Sequence, residues 1–325
     1  MVAVDAPVVR STVSVASVLT TFSTQLDTPG AAAVGGRRRQ CHYRVGMRSR
    51  LTLSDAYLYG SPMLLDRFRM TDRVAIVTGA GRGIGAGIAL AYAELGADVV
   101  CAARTPEQLE SVATRIRALG RRAVTVPCDV NERGHLEQVI ARTLETIGRI
   151  DVLVNNAGGF PPKPALETGE KFLEAAFHFN VTSAFLLSRF AIPHMAKNAD
   201  GGVIVNVSSA AGRLVQPGFL AYGTAKAALA FMTRLLAAEV APRIRVNAIA
   251  VGATETSALA PFLSDETREK MEARTPLRRN GTVEDIALAA VYLGSSASSW
   301  VTGKVLEVDG GTEATTWPYD MGSAV

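Results

Sequence analysis

Arg73-Val-Ala-Ile-Val77 runs directly into Thr78-Gly-Ala-Gly-Arg-Gly-Ile-Gly85, and this junction decides the fold. An unbroken apolar run is what a strand buried on both faces requires. The glycines turn the chain, and Ile84, Ile88, Tyr92 and Leu95 then recur at helical spacing until Gly96 stops the helix. The alternation repeats. A strand is expected at 98–102, followed by a helix with Thr105 as N-cap, Pro106 at its first position and Gln108 completing a capping box. Leu109, Val112, Ile116 and Leu119 line one face of that helix before Gly120. Further strands are expected at 123–126, 152–154, 203–207, 245–249 and 305–308.

Continuous apolar strands alternating with amphipathic helices predict an α/β fold: a doubly wound, parallel seven-stranded sheet of Rossmann type, one domain over residues 65–314. The 325 residues are 48% apolar and 20% charged, enough apolar surface for a large core, which excludes wholesale disorder, a collagen-like chain and a disulfide scaffold. A net charge of +4 taken alone would suggest a nucleic-acid partner. The excess lies entirely in residues 1–62, where seven arginines stand against three aspartates; the rest is neutral.

Residues 1–64 hold no sustained periodicity and are expected to be a disordered or dispensable extension, with translation from Met47, Met63 or Met70 as one origin. An organellar targeting peptide is the second reading and a nucleic-acid arm the third. Residues 315–325 read as a C-terminal tail. Cys41, Cys101 and Cys128 are odd in number and lack paired spacing, which points to a reducing cytoplasm. His42, His135, His178 and His194 have no ligand-like spacing, so no metal site is expected. The uncharged stretches 11–26 and 286–303 are too hydroxyl-rich or too broken by glycine and serine to suggest a membrane span.

Gly79, Gly83 and Gly85 stand where missing side chains let backbone N–H groups and a helix N-terminus approach a pyrophosphate, although ordinary turn chemistry would also use glycine there. Asn155-Asn-Ala-Gly158 follows the fourth strand. Ser209 precedes Tyr222 by 13 residues, and Lys226 lies four beyond it, on the same helix face. Each has a bland reading as turn residue, half-buried aromatic or solvated charge. Their joint order on these elements resembles the short-chain dehydrogenase/reductase family over residues 65–314. Asn155-Asn-Ala-Gly-Gly159 with Pro162-Lys-Pro164, Lys270 to Arg279 and Ala297 to Gly303 are similar to its 7α-hydroxysteroid dehydrogenase branch.

The resemblance implies hydride transfer between a nicotinamide and a carbonyl carbon, with Tyr222 exchanging the proton. A phenol near pKa 10 is a poor base until a cation stabilises its phenolate, and Lys226 is placed to do so; in the family it also binds the nicotinamide ribose. Ser209 is expected to bind the substrate oxygen, and Asn180, in Phe179-Asn-Val-Thr182, to hold a water of the proton relay. Cofactor contacts are expected from Gly79, Arg82, Gly83, Ile84, Gly85, Arg104, Asp129, Val130, Asn155, Ala157, Gly158, Tyr222, Lys226 and Thr256. For Asp129, turn capping is the other reading.

After the second strand Ala103 stands where NAD-using enzymes carry an acid, and Arg104 and Arg82 are candidate ligands of a 2′-phosphate, so NADP(H) is expected over NAD(H). Val251-Gly252 replaces the family's usual Pro-Gly, which loses proline's fixed φ and is expected to loosen cofactor orientation. Residues 257–279 mix Leu259, Phe262, Leu263 and Met271 with charges and read as a mobile lid. The family commonly forms tetramers through the helices carrying Asn180 and Tyr222 and through the last strand. The function expected is secondary-alcohol dehydrogenation or ketone reduction on a hydroxysteroid or other bulky alicyclic substrate. The alternatives are a 3-oxoacyl thioester reductase and, from another class, a non-catalytic NADP-binding regulator.

Overall fold

Seven parallel strands form one sheet in the order β3-β2-β1-β4-β5-β6-β7. They are β1 (Val74–Thr78), β2 (Asp98–Ala103), β3 (Ala123–Pro127), β4 (Val152–Asn155), β5 (Gly202–Ser209), β6 (Ile244–Val251) and β7 (Val305–Val308), each within about two residues of its expected place. The computed structural model describes residues 63–257, 259–260 and 263–318. The chain divides into units 1–56 and 57–325, and every described residue lies in the second. Residues 1–62 of the expected N-terminal extension and residues 319–325 of the tail lie outside the described residues; Leu64 already opens a 3₁₀ turn, Leu64–Phe68.

The helices are α1 (Gly83–Glu94), α2 (Pro106–Ala118), α3 (Arg133–Thr146), α4 (Glu170–Phe177), α5 (Ser183–Met195), α6 (Leu220–Val240), α7 (Asp265–Arg274) and α8 (Val283–Gly294). The strands are mostly apolar because both faces are covered, with Asn155, Asn206, Ser208 and Asn247 among the buried polar exceptions. On one face Ala75, Val77, Val99 and Cys101 pack with Ile88 and Tyr92 of α1, Leu109 and Ile116 of α2, and Ile286 and Ala290 of α8. On the other, Ile76, Val100 and Leu153 pack with Leu136 of α3, Leu187 and Met195 of α5, and Ala237 of α6. Successive strand residues thus feed opposite layers, the period-2 rule applied to a sheet without a wet face.

The chain builds outward from β1 to β3, then returns to place β4 on the other side of β1. Connections diverge at that seam and leave a crevice beyond the strands' C-terminal ends, where the glycine loop sits. One local expectation fails. Thr105 is the N-cap of α2 but makes no side-chain cap bond. A side chain at Gly81 would touch Gln108 Cβ and Oε1 at 3.1 and 3.2 Å, so Gln108 is turned toward the glycine loop.

Beneath the opposite end of the sheet lies Asp151, whose side chain is fully buried. Its carboxylate accepts from the Val74 N–H at 2.9 Å and from Arg149 at 2.6 and 2.9 Å, tying the start of β1 to the loop before β4. Asp151→Ala strands a buried N–H and removes a charge-assisted pair, so denaturant unfolding should show a loss of about 2–3 kcal/mol with the m-value unchanged.

Candidate active site

The crevice opens into a cavity of about 1320 Å³. Gly79 and Gly83 line one end of it with φ of +65° and +56°, a backbone that side-chain-bearing residues rarely adopt. Gly85 lies behind them, where any side chain would overlap the Gly79 carbonyl. The loop is braced from β4. Thr78 Oγ1 accepts from the N–H groups of Asn156 and Ala157 at 3.0 and 3.1 Å, and Asn156 Nδ2 donates to the Thr78 carbonyl at 2.9 Å.

Ser209, at the end of β5, hydrogen-bonds the phenol of Tyr222, which α6 projects into the cavity. Burial pushes that phenol above its usual value, and the Ser209 bond only partly opposes it. Lys226, one turn on, is 2% exposed; its Nζ donates to the Val207 carbonyl at 2.8 Å and lies 5.8 Å from the Tyr222 ring centre. Burial lowers its pKa to about 8. A Cβ on Gly158 would fall 2.8 Å from both Lys226 Nζ and Asn180 Oδ1, so only glycine lets these groups close around the loop after β4.

Asn180 sits in a π-turn, His178–Thr182, that joins α4 to α5, an irregularity typical of functional helices. Its Nδ2 donates to the carbonyls of Gly159 (3.1 Å) and Ala176 (2.9 Å), and Oδ1 accepts from the Gly159 N–H at 2.9 Å. Both amide protons are spent within the protein, so the side chain could hold a relay water only as an acceptor.

At the other end of the cavity Arg82 and Arg104 are exposed, and among the described residues neither guanidinium makes a hydrogen bond or ion pair. Ile84, Val130, Ala157, Gly158 and Thr256 also border the cavity, as does Asp129. Asp129 Oδ1 accepts from the backbone and side-chain amides of Asn131 at 3.0 and 2.9 Å, the turn-capping alternative. Asn155 does not reach the cavity: its Nδ2 donates to Ser188 Oγ at 3.0 Å and Asn206 Oδ1 at 2.8 Å inside the core.

Val251 is paired on both sides, with Ser209 and with Val308. The ladder holds the Val251 backbone on both sides, a restraint different in kind from proline's fixed φ. In the expected lid, α7 is capped by Ser264, and Leu259 and Met271 border the cavity; Phe262 lies outside the described residues. The sequence reading missed Asn156 and Gln108, and also Thr315, Thr316 and Trp317, which line the cavity from the segment read as a tail. The doubled asparagine hinted at Asn156. The tail carried no periodic signal.

Residues 79–313 match the family model described as enoyl-(acyl carrier protein) reductase. The chain belongs to the short-chain dehydrogenase/reductase family. An uncharacterized oxidoreductase of Mycobacterium tuberculosis (strain CDC 1551 / Oshkosh) is 52% identical over 250 residues, covering 77% of this chain and 95% of the relative. The 7α-hydroxysteroid dehydrogenase of Escherichia coli (strain K12) is 39% identical over 76% of this chain and 96% of its own. A 3-oxoacyl-[acyl-carrier-protein] reductase of Thermotoga maritima is 36% identical over 75% and 98%. A solved 7α-hydroxysteroid dehydrogenase, in complex with NADH and 7-oxo-glycochenodeoxycholic acid, superimposes with a TM-score of 0.75 at 38% identity, covering 78% of this chain and 98% of that one. The protein is therefore an oxidoreductase acting on alcohol or ketone groups, of a family that binds a nicotinamide cofactor. Among the described residues no helix is long and apolar enough to cross a membrane and no cluster could hold a metal ion.

Burying Lys226 has a measurable cost. Its depressed pKa corresponds to about 3 kcal/mol held against folding below pH 8, which fades as the pH rises toward the unfolded value near 10.5. Lys226→Met forfeits the bond to Val207, worth about 1 kcal/mol. It should therefore raise Tm by several degrees at pH 7, with the gap to wild type narrowing above pH 8 in thermal melts.

Proposed function

We propose that this protein interconverts a secondary alcohol and a ketone on a bulky alicyclic substrate of hydroxysteroid type, preferring NADP(H) over NAD(H). The observation that carries the reading is the meeting of Ser209, Tyr222 and Lys226 on one wall of a cavity whose far end is a glycine cradle. The cradle fits a pyrophosphate, because Gly79 and Gly83 leave no side chain in its path. Gly79, Gly83 and Ile84 would hold that group, with Gly85 letting the loop close behind them, and Arg82 and Arg104 the 2′-phosphate. Asp129 and Val130 would meet the adenine. Ala157 and Gly158 would border the ribose that Lys226 binds, Thr256 would meet the carboxamide, and Asn155 supports the loop from within. When bound, the cofactor supplies or accepts the hydride.

The protein's own part is to handle the proton. A substrate oxygen placed between the Ser209 and Tyr222 hydroxyls receives a hydrogen bond from Ser209 and the proton of Tyr222 as charge develops on it. Lys226, cationic below pH 8, stabilises the phenolate left behind. Phe160, Phe219, Leu214 and Trp317 border the cavity and give its substrate side an apolar, ring-lined wall, which supports a multi-ring substrate. A 3-oxoacyl thioester reductase is the second reading, favoured by the family description and the Thermotoga relative. A coenzyme-oxidation screen over steroid ketones, cyclic ketones and 3-oxoacyl thioesters separates the two; turnover of the thioesters alone would overturn the first. We also propose a cytoplasmic location and a homotetramer; the exposed Phe185, Phe231, Leu235 and Leu288 on helices α5, α6 and α8 support the assembly.

Tyr222→Phe should lower kcat by about 10³-fold while NADPH still binds; retained activity would sink the mechanism. Because burial holds the phenol protonated and Lys226 loses its charge near pH 8, alcohol oxidation should climb as the pH rises toward 8 and level off above it, while ketone reduction stays flat up to that point, as initial rates in the two directions would register. Arg104→Ala should raise KM for NADPH about tenfold or more and leave KM for NADH in place; equal changes would refute its role.

A further inference from the structure

Beyond β7 the chain continues from Asp309 as a strap that borders the substrate side of the cavity. Asp309 Oδ1 accepts from the N–H groups of Gly311 and Thr312 at 3.0 and 3.3 Å, and Thr312 Oγ1 donates back to the Asp309 carbonyl at 2.7 Å. The other carboxylate oxygen meets Arg213 Nη2 at 2.9 Å, and the same nitrogen donates to the Thr312 carbonyl at 2.6 Å. Arg213 follows the short 3₁₀ turn Ala210–Gly212, so its position is fixed relative to Ser209. It also pairs with Glu307 at 3.2 Å and Glu313 at 2.8 Å, carboxylates 45% and 82% exposed and therefore well screened. The Asp309 side chain is 6% exposed, so that pair and the carbonyl bond carry the grip. Further along the strap, Arg274, at the end of α7, donates to the Trp317 carbonyl at 2.9 Å.

Five residues beyond the Thr312 carbonyl that Arg213 grips, and bonded through its own carbonyl to Arg274, Trp317 borders the cavity and meets Phe219 edge-on at 5.5 Å, while Phe219 meets Tyr222 edge-on at 6.1 Å. We propose that Trp317 selects substrates by size and apolarity, and that Arg213, which does not itself border the cavity, is the positioning residue that keeps the indole in place. This rests on the ketone-reductase reading above. An indole offers a large, stiff apolar face, and its ring contact with Phe219 sets it one aromatic layer away from Tyr222. A monocyclic ketone seated at Ser209 and Tyr222 gains little from it, whereas a fused-ring ketone extends along the Phe219 and Trp317 wall.

The chain has two tryptophans, and Trp300 is fully exposed, so Trp300→Phe leaves the emission of Trp317 as a direct reporter. In that background the ratio of kcat/KM for a fused-ring over a monocyclic ketone should fall about tenfold or more in both Arg213→Ala and Trp317→Ala, mainly through KM for the fused-ring substrate. Arg213→Lys should recover part of the ratio. Trp317 emission should move to longer wavelength in Arg213→Ala, and a fused-ring ketone without coenzyme should perturb it in the Trp300→Phe parent. An equal loss for both ketones, or an unshifted emission in Arg213→Ala and Arg213→Gln alike, would overturn the proposal. Failure of the parent to reduce either ketone with either coenzyme would count against the ketone-reductase reading, while the emission shift would still decide whether Arg213 positions Trp317.

Discussion

Lys226 keeps an ammonium in a place 2% exposed to solvent, with the Val207 carbonyl 2.8 Å from its nitrogen, and much of the surrounding architecture answers to that desolvated charge. A long flexible side chain would escape toward water unless its helix were fixed. Helix α6 is fixed at that turn: Ser208 Oγ donates to the Lys226 carbonyl at 2.9 Å, and further along Asn206 Nδ2 donates to Thr233 Oγ1 at 2.9 Å. Both bonds come from β5, the strand that ends in Ser209. The hydroxyl and the ammonium are therefore positioned by the same two elements, so their separation is set by strand-to-helix packing rather than by loop conformation.

The seam between β1 and β4 completes the frame. Asn155 and Asn156 are adjacent and do opposite things because strand side chains alternate. Asn155 turns inward to Ser188 and Asn206, joining β4 to β5 and α5, while Asn156 turns back to the Thr78 carbonyl and steadies the glycine loop. The doublet thus links the glycine-loop end of the cavity to the strand carrying Ser209 through hydrogen bonds between buried or half-buried groups, which are strong where water cannot compete. The two ends of the cavity share one rigid support.

How much of this could be read from sequence follows from the range of the interactions. Strands, helices and the Tyr222 and Lys226 pair are written in periods of two and three to four residues, and the glycine loop in the need for positive φ at Gly79 and Gly83. Where the deciding contact is distant, the pattern misleads or is silent. Gln108 fits a local capping box yet turns to the glycine loop, and Thr105 remains without a side-chain cap bond. Asn180 occupies a π-turn that no periodicity announces. Trp317 meets Phe219 almost 100 residues earlier in the chain, and neither residue alone hints at the other. Long-range pairings of this kind are set by topology, which a sequence pattern reveals only coarsely.

Charge offers the sharpest contrast between whole-chain and local reading. The +4 of the sequence sits in residues 1–62, while several arginines of the folded unit are already engaged. Arg73, Arg121, Arg122, Arg149, Arg213, Arg268 and Arg279 are each committed to a carboxylate, so recruiting one for a ligand would first break an ion pair. Arg82 and Arg104 carry no such commitment, and both stand at the rim of the cavity. Ala103 presents no carboxylate beside them, and Asp129, across the same rim, has one oxygen already bonded twice to Asn131. An anion arriving there would meet two guanidinium groups without displacing any existing partner. Binding energy gained without a prior loss discriminates between ligands differing by one phosphate, and this accounting, rather than net charge, supports the proposed coenzyme preference.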